Sequence, residues 1–287
     1  MLKNYYLLAT LLLIIVLASC KKEELKADIP AYIQINDFVV LDNDSTIVSD
    51  NIQDAWVYID DQLHGVFELP AIIPIPKTNK QFQLTISPGI LNNLISNQRS
   101  IYPFYESFQL DTILEAEKVY QFTPAVHYRP NTVFDDPWSG EDFESGINFD
   151  HSPQSDTTFI RETNPELVFS GLASGAAYLA PGMDFFEAST PIFGGNDIPR
   201  GTSPVYLELN YRCSHDIVIS IYVNNRSQQF SVVNLRAQAN WNKAYIELRT
   251  VFGTLFDASN YSIAIGYAKP PTDEGVLLVD DIKLLHF

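Results

Sequence analysis

From residue 205 onward the chain alternates apolar and polar residues in one short run after another. Val205, Leu207 and Leu209 share one side of the run 205–211, and Ile217, Ile219, Ile221 and Val223 share one side of 216–223. A period of two belongs to a strand with one face buried and the other open. Residues 229–233, 241–248, 261–267 and 275–285 repeat the pattern, and no sustained helical period separates them. Asn224-Asn225 supplies turn chemistry between two of the runs. Strands this short and this regularly spaced can bury their apolar sides only by stacking two sheets, so the pattern predicts an all-β sandwich of the jelly-roll type over residues 134–287. Shorter strand candidates precede it at 166–169, 177–179 and 184–187.

The first half carries the same signal more sparsely. Ile33 and Ile35 alternate with Gln34 and Asn36. Ala55, Val57 and Ile59 form one face of a second run, with Trp56 and Tyr58 on the other. Asp60-Asp61-Gln62 turns that run into a hairpin with residues 63–69. Pro70, Pro74 and Pro76 confine the next stretch to an edge or a crossover. Residues 81–86 and 118–122 complete a small antiparallel sandwich over 30–128. Trp56 is open to two readings, a ligand platform or a core residue, and is assigned to the core because strand tryptophans are more often buried. Residues 128–131 read as the junction, and a length of 287 residues accommodates two such units.

Charge narrows the partners. Asp and Glu number 35 against 18 Lys and Arg, a formal net charge of −17. A nucleic-acid binder needs the opposite sign on its contact face, so none is expected. The five histidines are scattered and no His/Cys cluster appears, which argues against zinc. Gly171-Leu-Ala-Ser174-Gly175 misses the nucleophile-elbow spacing, which needs Ser at its centre. No Gly-rich phosphate cradle is present. Asp135, Asp136, Glu141, Asp142 and Glu144 form an acidic cluster that a glycoside hydrolase could use, but paired carboxylates need a defined separation. No catalytic residue is assigned. Cys213 lies in a strand-like run and reads as a small buried hydrophobe.

The N-terminus has a different character. Lys3 precedes an almost unbroken apolar run from Tyr5 to Leu17, too short for a comfortable membrane span. Leu17-Ala18-Ser19-Cys20 resembles the lipobox of bacterial lipoproteins. The resemblance implies a signal peptide over 1–19, cleavage before Cys20, and acylation of Cys20, palmitate included, followed by a tether over 20–29. Several acyl chains on one residue hold firmly, since each buried CH₂ contributes about 0.8 kcal/mol. Lys21-Lys22-Glu23-Glu24 resembles the export signals of Bacteroidetes surface lipoproteins. The implied location is the outer membrane, lipid-anchored and facing the exterior. Three triplets beginning at Asp44, Asp111 and Asp156 resemble O-glycosylation sequences of exported proteins from the same group.

Two further resemblances concern the body. The hairpin 55–70 is similar to PEGA-like surface modules with an Ig-like fold, and Tyr102-Pro-Phe-Tyr105 has a counterpart in N-terminal modules of Bacteroidetes lipoproteins. Phe143-Glu144-Ser145-Gly146, Trp241 and Val279-Asp280-Asp281-Ile282 resemble landmarks of the galactose-binding-like jelly rolls of carbohydrate-binding modules. That likeness implies first and last strands lying side by side, with a structural Ca²⁺ held by Glu144 and by Asp280 or Asp281. It implies Trp241 in the packing, and sugar stacking on exposed aromatics, for which Trp138, Tyr178, Phe185, Phe186, Tyr222 and Tyr267 are available. Three functions follow from these residues. The first is a non-catalytic lipoprotein binding polysaccharide through the jelly roll, with the first unit as spacer. The second is a structural or assembly component among envelope proteins. The third, ranked last, is a hydrolase.

Overall fold

The computed structural model describes residues 29–42, 44–134, 136–199 and 201–287. The signal peptide, Cys20 and most of the tether lie outside the described residues. Strands dominate throughout, as the alternation requires, and the chain is all-β with a single six-residue helix, α1 (Arg249–Thr254), among the described residues.

The first sandwich is built from three groups of strands. β1 (Ala31–Ile35) lies between β6 (Ala71–Ile75) and β10 (Val119–Phe122). β2 (Val39–Leu41) lies between β3 (Ile47–Val48) and β11 (Ala125–His127). Facing them, β4 (Asp54–Ile59) pairs with β5 (Gln62–Glu68) and β7 (Phe82–Leu91). β7 takes β8 (Arg99–Ile101) and β9 (Phe108–Thr112) on its other side. β6 holds Pro74 and sits at a sheet edge, where a missing N–H is tolerated. The β4–β5 turn places Asp60 and Asp61 at φ of 48° and 62°, the left-handed pair that a two-residue hairpin favours. β1 with β10 and β2 with β11 pair in parallel, a detail that alternation cannot encode because it does not set strand direction.

Trp56 departs from its expected place. Ala55 and Val57 point into the core, so Trp56 lies on the outer face of β4, half-buried over Gly89. A Cβ at Gly89 would come within 2.6 Å of the indole nitrogen, so the glycine makes room for the ring.

The second sandwich has two sheets. One runs β13 (Ile160–Glu162), β14 (Ser174–Leu179), β22 (Gly275–His286), β17 (Val205–Cys213), β20 (Gln238–Glu247). The other runs β12 (Asp150–His151), β15 (Phe185–Ser189), β21 (Asn260–Ala268), β18 (Ile217–Val223), β19 (Gln228–Leu235), with β16 (Phe193–Gly194) also on β21. The predicted apolar sides meet between them: Leu207, Leu209, Ile219, Ile221, Ile263 and Val279 are all buried in one cluster. Asn224, Asn225 and Arg226 turn with positive φ. Bridges Val133–His286 and Glu141–Ile282 lay the start of this unit beside its last strand, as the resemblance implied. The stretch 166–169 is a loop, not the expected strand.

The two sandwiches share an interface. Tyr206, Tyr245 and Leu285, from the outer face of the β22–β17–β20 region, belong to the buried cluster of the first sandwich. Glu208 is fully buried there. It accepts hydrogen bonds from the Tyr102 hydroxyl and from Tyr128 Oη at 2.8 Å, and it pairs with Lys243 Nζ at 2.7 Å. Lys243 also donates to the Ser49 carbonyl at 2.9 Å, and Asn51 Nδ2 donates to the Lys243 carbonyl at 2.8 Å. Burial works to raise the Glu208 carboxyl, but the Lys243 ammonium and the Tyr102 hydroxyl outweigh it and hold the group below the ordinary range.

Candidate ligand-binding groove

The carboxylates proposed for Ca²⁺ are in use elsewhere. Glu144 Oε1 accepts the amides of Leu172 (2.7 Å) and Ala173 (3.2 Å). Gly171, at φ 62°, leaves room for it, since a Cβ there would meet that oxygen at 2.0 Å. Asp280 is fully buried and accepts Ser174 Oγ (2.7 Å) and the Ser170 amide (3.2 Å) on one oxygen and the Asp281 amide (2.8 Å) on the other. Asp281 Oδ2 accepts Ser170 Oγ at 3.3 Å. The three residues thus anchor one loop, 170–174, from separate sides. Among the described residues no group of three His, Cys, Asp or Glu side chains is gathered to hold a metal ion. Burial pushes the Asp280 carboxyl up to about 6.

The acidic cluster is likewise a loop-builder. Glu141 accepts the Phe143 amide at 2.8 Å and the Asn148 amide, and Asp142 accepts the Glu144 amide at 3.0 Å. Asp135 lies outside the described residues. A cavity of about 650 Å³ sits between this loop and residues 281–283, lined by Glu141 and Asp142, whose oxygens already hold these backbone amides.

The aromatics divide three ways. Trp138, Phe186 and Tyr267 are buried in the sandwich core and offer no platform. Tyr178 lies on the outer face of β14. Phe185 and Tyr222 lie on the outer face of the other sheet. Trp241 is half-buried outside the core, tilted against Phe169 with centroids 5.2 Å apart. It shares a strand side with Lys243 and Tyr245, which face outward, and so cannot reach the space between the sheets.

On the outer face of the sheet β15–β21–β18–β19, side chains converge. Their inward neighbours Phe186, Ile219 and Ile265 fill the core, so Glu187, Ser220 and Gly266 face away from it. Glu187 is only 6% exposed. Its Oε1 accepts Tyr222 Oη at 2.6 Å and its Oε2 accepts Gln229 Nε2 at 2.6 Å. Gln229 Nε2 also donates to Ser220 Oγ at 2.8 Å. Burial, then the bond to Glu187, raises the Tyr222 hydroxyl far out of its usual range, so it stays protonated. Ser262 and Ala264, small residues on the central strand, are buried beneath these side chains. The result is a groove of about 350 Å³ with Phe185 on its wall. Near one end Arg226 bonds Asp150 and, at 3.0 Å, the Thr190 carbonyl.

This arrangement can hold a hydroxyl-rich ligand. Gln229 has both amide protons' nitrogen committed but its carbonyl oxygen available to accept. Tyr222 donates to Glu187 and keeps its lone pairs. Ser220 and Ser231 hydroxyls both donate and accept. The sequence singled out Tyr222 and Phe185, but missed Glu187, Ser220 and Gln229. The signal available was polar residues alternating with the apolar side of strongly patterned strands.

No protein-family model matches the chain, and no curated protein matches it. Several of the solved structures that are similar to it are β-sandwich carbohydrate-binding modules. The CBM61 module bound to β-1,4-galactotriose is 14% identical, with 51% of this chain and 94% of that chain covered and a TM-score of 0.36. A structure of carbohydrate-binding modules from the β-sandwich superfamily is 14% identical, covering 90% and 99%, with a TM-score of 0.38. The CBM22-1 xylan-binding domain of Paenibacillus barcinonensis is 10% identical, covering 51% and 95%, at 0.37. At these scores the likeness carries no functional weight.

Proposed function

We propose that the chain is a non-catalytic glycan-binding lipoprotein, acylated on Cys20, held in an outer membrane and facing outward. The ligand is a polysaccharide, held in the groove on β15, β18, β19 and β21. The observation that supports this is the Glu187–Tyr222–Gln229 network. A nearly buried carboxylate fixes two polar side chains on adjacent strands, so their remaining donors and acceptors are oriented before a ligand arrives. The lipobox residues Leu17 to Cys20 support the anchor.

A panel of neutral polysaccharides presented to the full chain in detergent tests the groove. Binding to at least one glycan is expected, weakened tenfold or more by Gln229→Ala and by Tyr222→Ala. Absence of binding across the panel contradicts it. Metabolic labelling with an alkyne palmitate tests the anchor: wild type takes up label and Cys20→Ser does not.

A second reading, a structural component that docks on other envelope proteins, draws on β5. That strand ends its sheet, and Leu63 and Val66 on it are 54% and 40% exposed. An open edge with apolar side chains invites pairing with another chain.

A further inference from the structure

The sheet β13–β14–β22–β17–β20 has an outer face that the first sandwich covers only in part. Register places Tyr206, Glu208 and Lys243 under the interface, while Arg212 pairs with Leu278, and Tyr178 with Val276, beyond it. This uncovered part is a groove of about 580 Å³, predominantly apolar, with Leu278 and Val276 on its floor.

Two side chains give that groove a chemical preference. Tyr178 is 37% exposed, and its hydroxyl donates to Glu162 Oε2 at 2.6 Å, which fixes the ring at the wall. Lys269 holds the neighbouring turn by donating to the Ala180 carbonyl at 3.2 Å. Arg212 lines the same groove, half-buried, and among the described residues no carboxylate lies within ion-pair distance of it and no hydrogen bond occupies it. On a chain of net charge −17, an unpaired guanidinium beside an apolar floor is a carboxylate seat. Glu274 stands exposed on the rim and Glu162 is held by Tyr178, so a densely charged polyanion is repelled.

We infer that this groove is a second saccharide site, selective for a sugar that carries a single carboxylate: the pyranose face lies on Tyr178 and the uronate pairs with Arg212. The inference shares the glycan reading given above but uses the opposite sheet and different residues, so the two can fail separately.

Nuclear magnetic resonance titration of the full chain with cellobiouronate, and with cellobiose as its neutral counterpart, tests it. Cellobiouronate is expected to shift resonances of 176–180 and 276–278 and to bind at least tenfold more tightly than cellobiose at these residues. Arg212→Gln should remove that preference, and Tyr178→Ala should weaken binding of both sugars there. Tyr222→Ala, which removes the donor to Glu187 beside the other groove, should leave these shifts unchanged. No shift at these residues overturns the second site, whether or not the Glu187 groove responds. Shifts that survive Arg212→Gln undiminished overturn the carboxylate preference. Loss of all binding in Tyr222→Ala overturns the claim that the sites are separate.

Discussion

Glu208 and Lys243 form a buried ion pair where the two sandwiches meet. Each is buried, and the carboxylate has three donors around it. Removing one partner of such a pair leaves an uncompensated charge, which costs about 3–5 kcal/mol. Lys243→Met is therefore expected to lower stability by that order in urea unfolding, more at pH 8 than at pH 4. The sign follows from linkage. The wild-type Glu208 carboxyl lies below its unfolded value of about 4.3, so its contribution is present above that pH and fades as pH falls through the folded value. Without the ammonium, burial alone acts, and the charged form becomes the unfavourable one. Asp280 runs the other way. With a folded value of about 6 against an unfolded value of about 3.9, its contribution is complete below about pH 4 and is lost as pH rises towards 6. Asp280→Asn should thus destabilise the protein more at pH 4 than at pH 7.5, by up to about 3 kcal/mol for a two-unit shift. A pH-independent difference in urea midpoints would contradict this assignment.

The elements were largely legible from the chain. Strong alternation located β17, β18, β21 and β22 because each buries one face completely. The hairpin β4–β5 was legible from its Asp-Asp turn. Short strands such as β2, β3 and β8 were not, since two or three residues cannot display a period. Parallel pairing of β1 with β10 and β2 with β11 depends on which distant segment is near, and local pattern carries no record of that. The groove was legible only in fragments. Alternation states which residues face outward, so Tyr222 could be singled out. It does not state that β15 and β19 flank β18 and β21 and so bring Glu187 and Gln229 to Tyr222. Trp56 was misplaced because bulk favours burial and Trp241 because a family resemblance implied packing, but both sit on the outward phase of their strands, where phase decides. Cys213, by contrast, lies in the core as its strand phase indicates, and burial pushes its thiol up to about 11. At this scale, Gln229→Ala should free Glu187 Oε2 and Ser220 together. Its effect on glycan binding should exceed that of Ser231→Ala, as competition binding would show.

At the scale of the whole molecule, the interface changes what the first sandwich is for. A spacer would touch its neighbour lightly. Here Tyr206, Tyr245 and Leu285 complete its buried cluster, and Tyr102, Tyr105 and Tyr128 close over Glu208. The full chain is expected to unfold in one calorimetric transition. Residues 134–287 alone should bind a hydrophobic dye and unfold at lower temperature, because Tyr245 and the Glu208–Lys243 pair would lose their cover. Two separate transitions in the full chain would contradict that. The first sandwich also occupies much of the outer face of one sheet, which leaves the β15–β21–β18–β19 face as the broad open surface carrying a preset polar network. Hydrogen-exchange mass spectrometry of the full chain, with and without a glycan that binds it, tests that claim most directly. Protection is expected in 185–189, 218–222 and 228–231, and the 101–105 segment at the interface should not change. Protection confined to the first sandwich, or to the loop 139–148, with the three strand segments unaffected, would contradict the groove as the binding site.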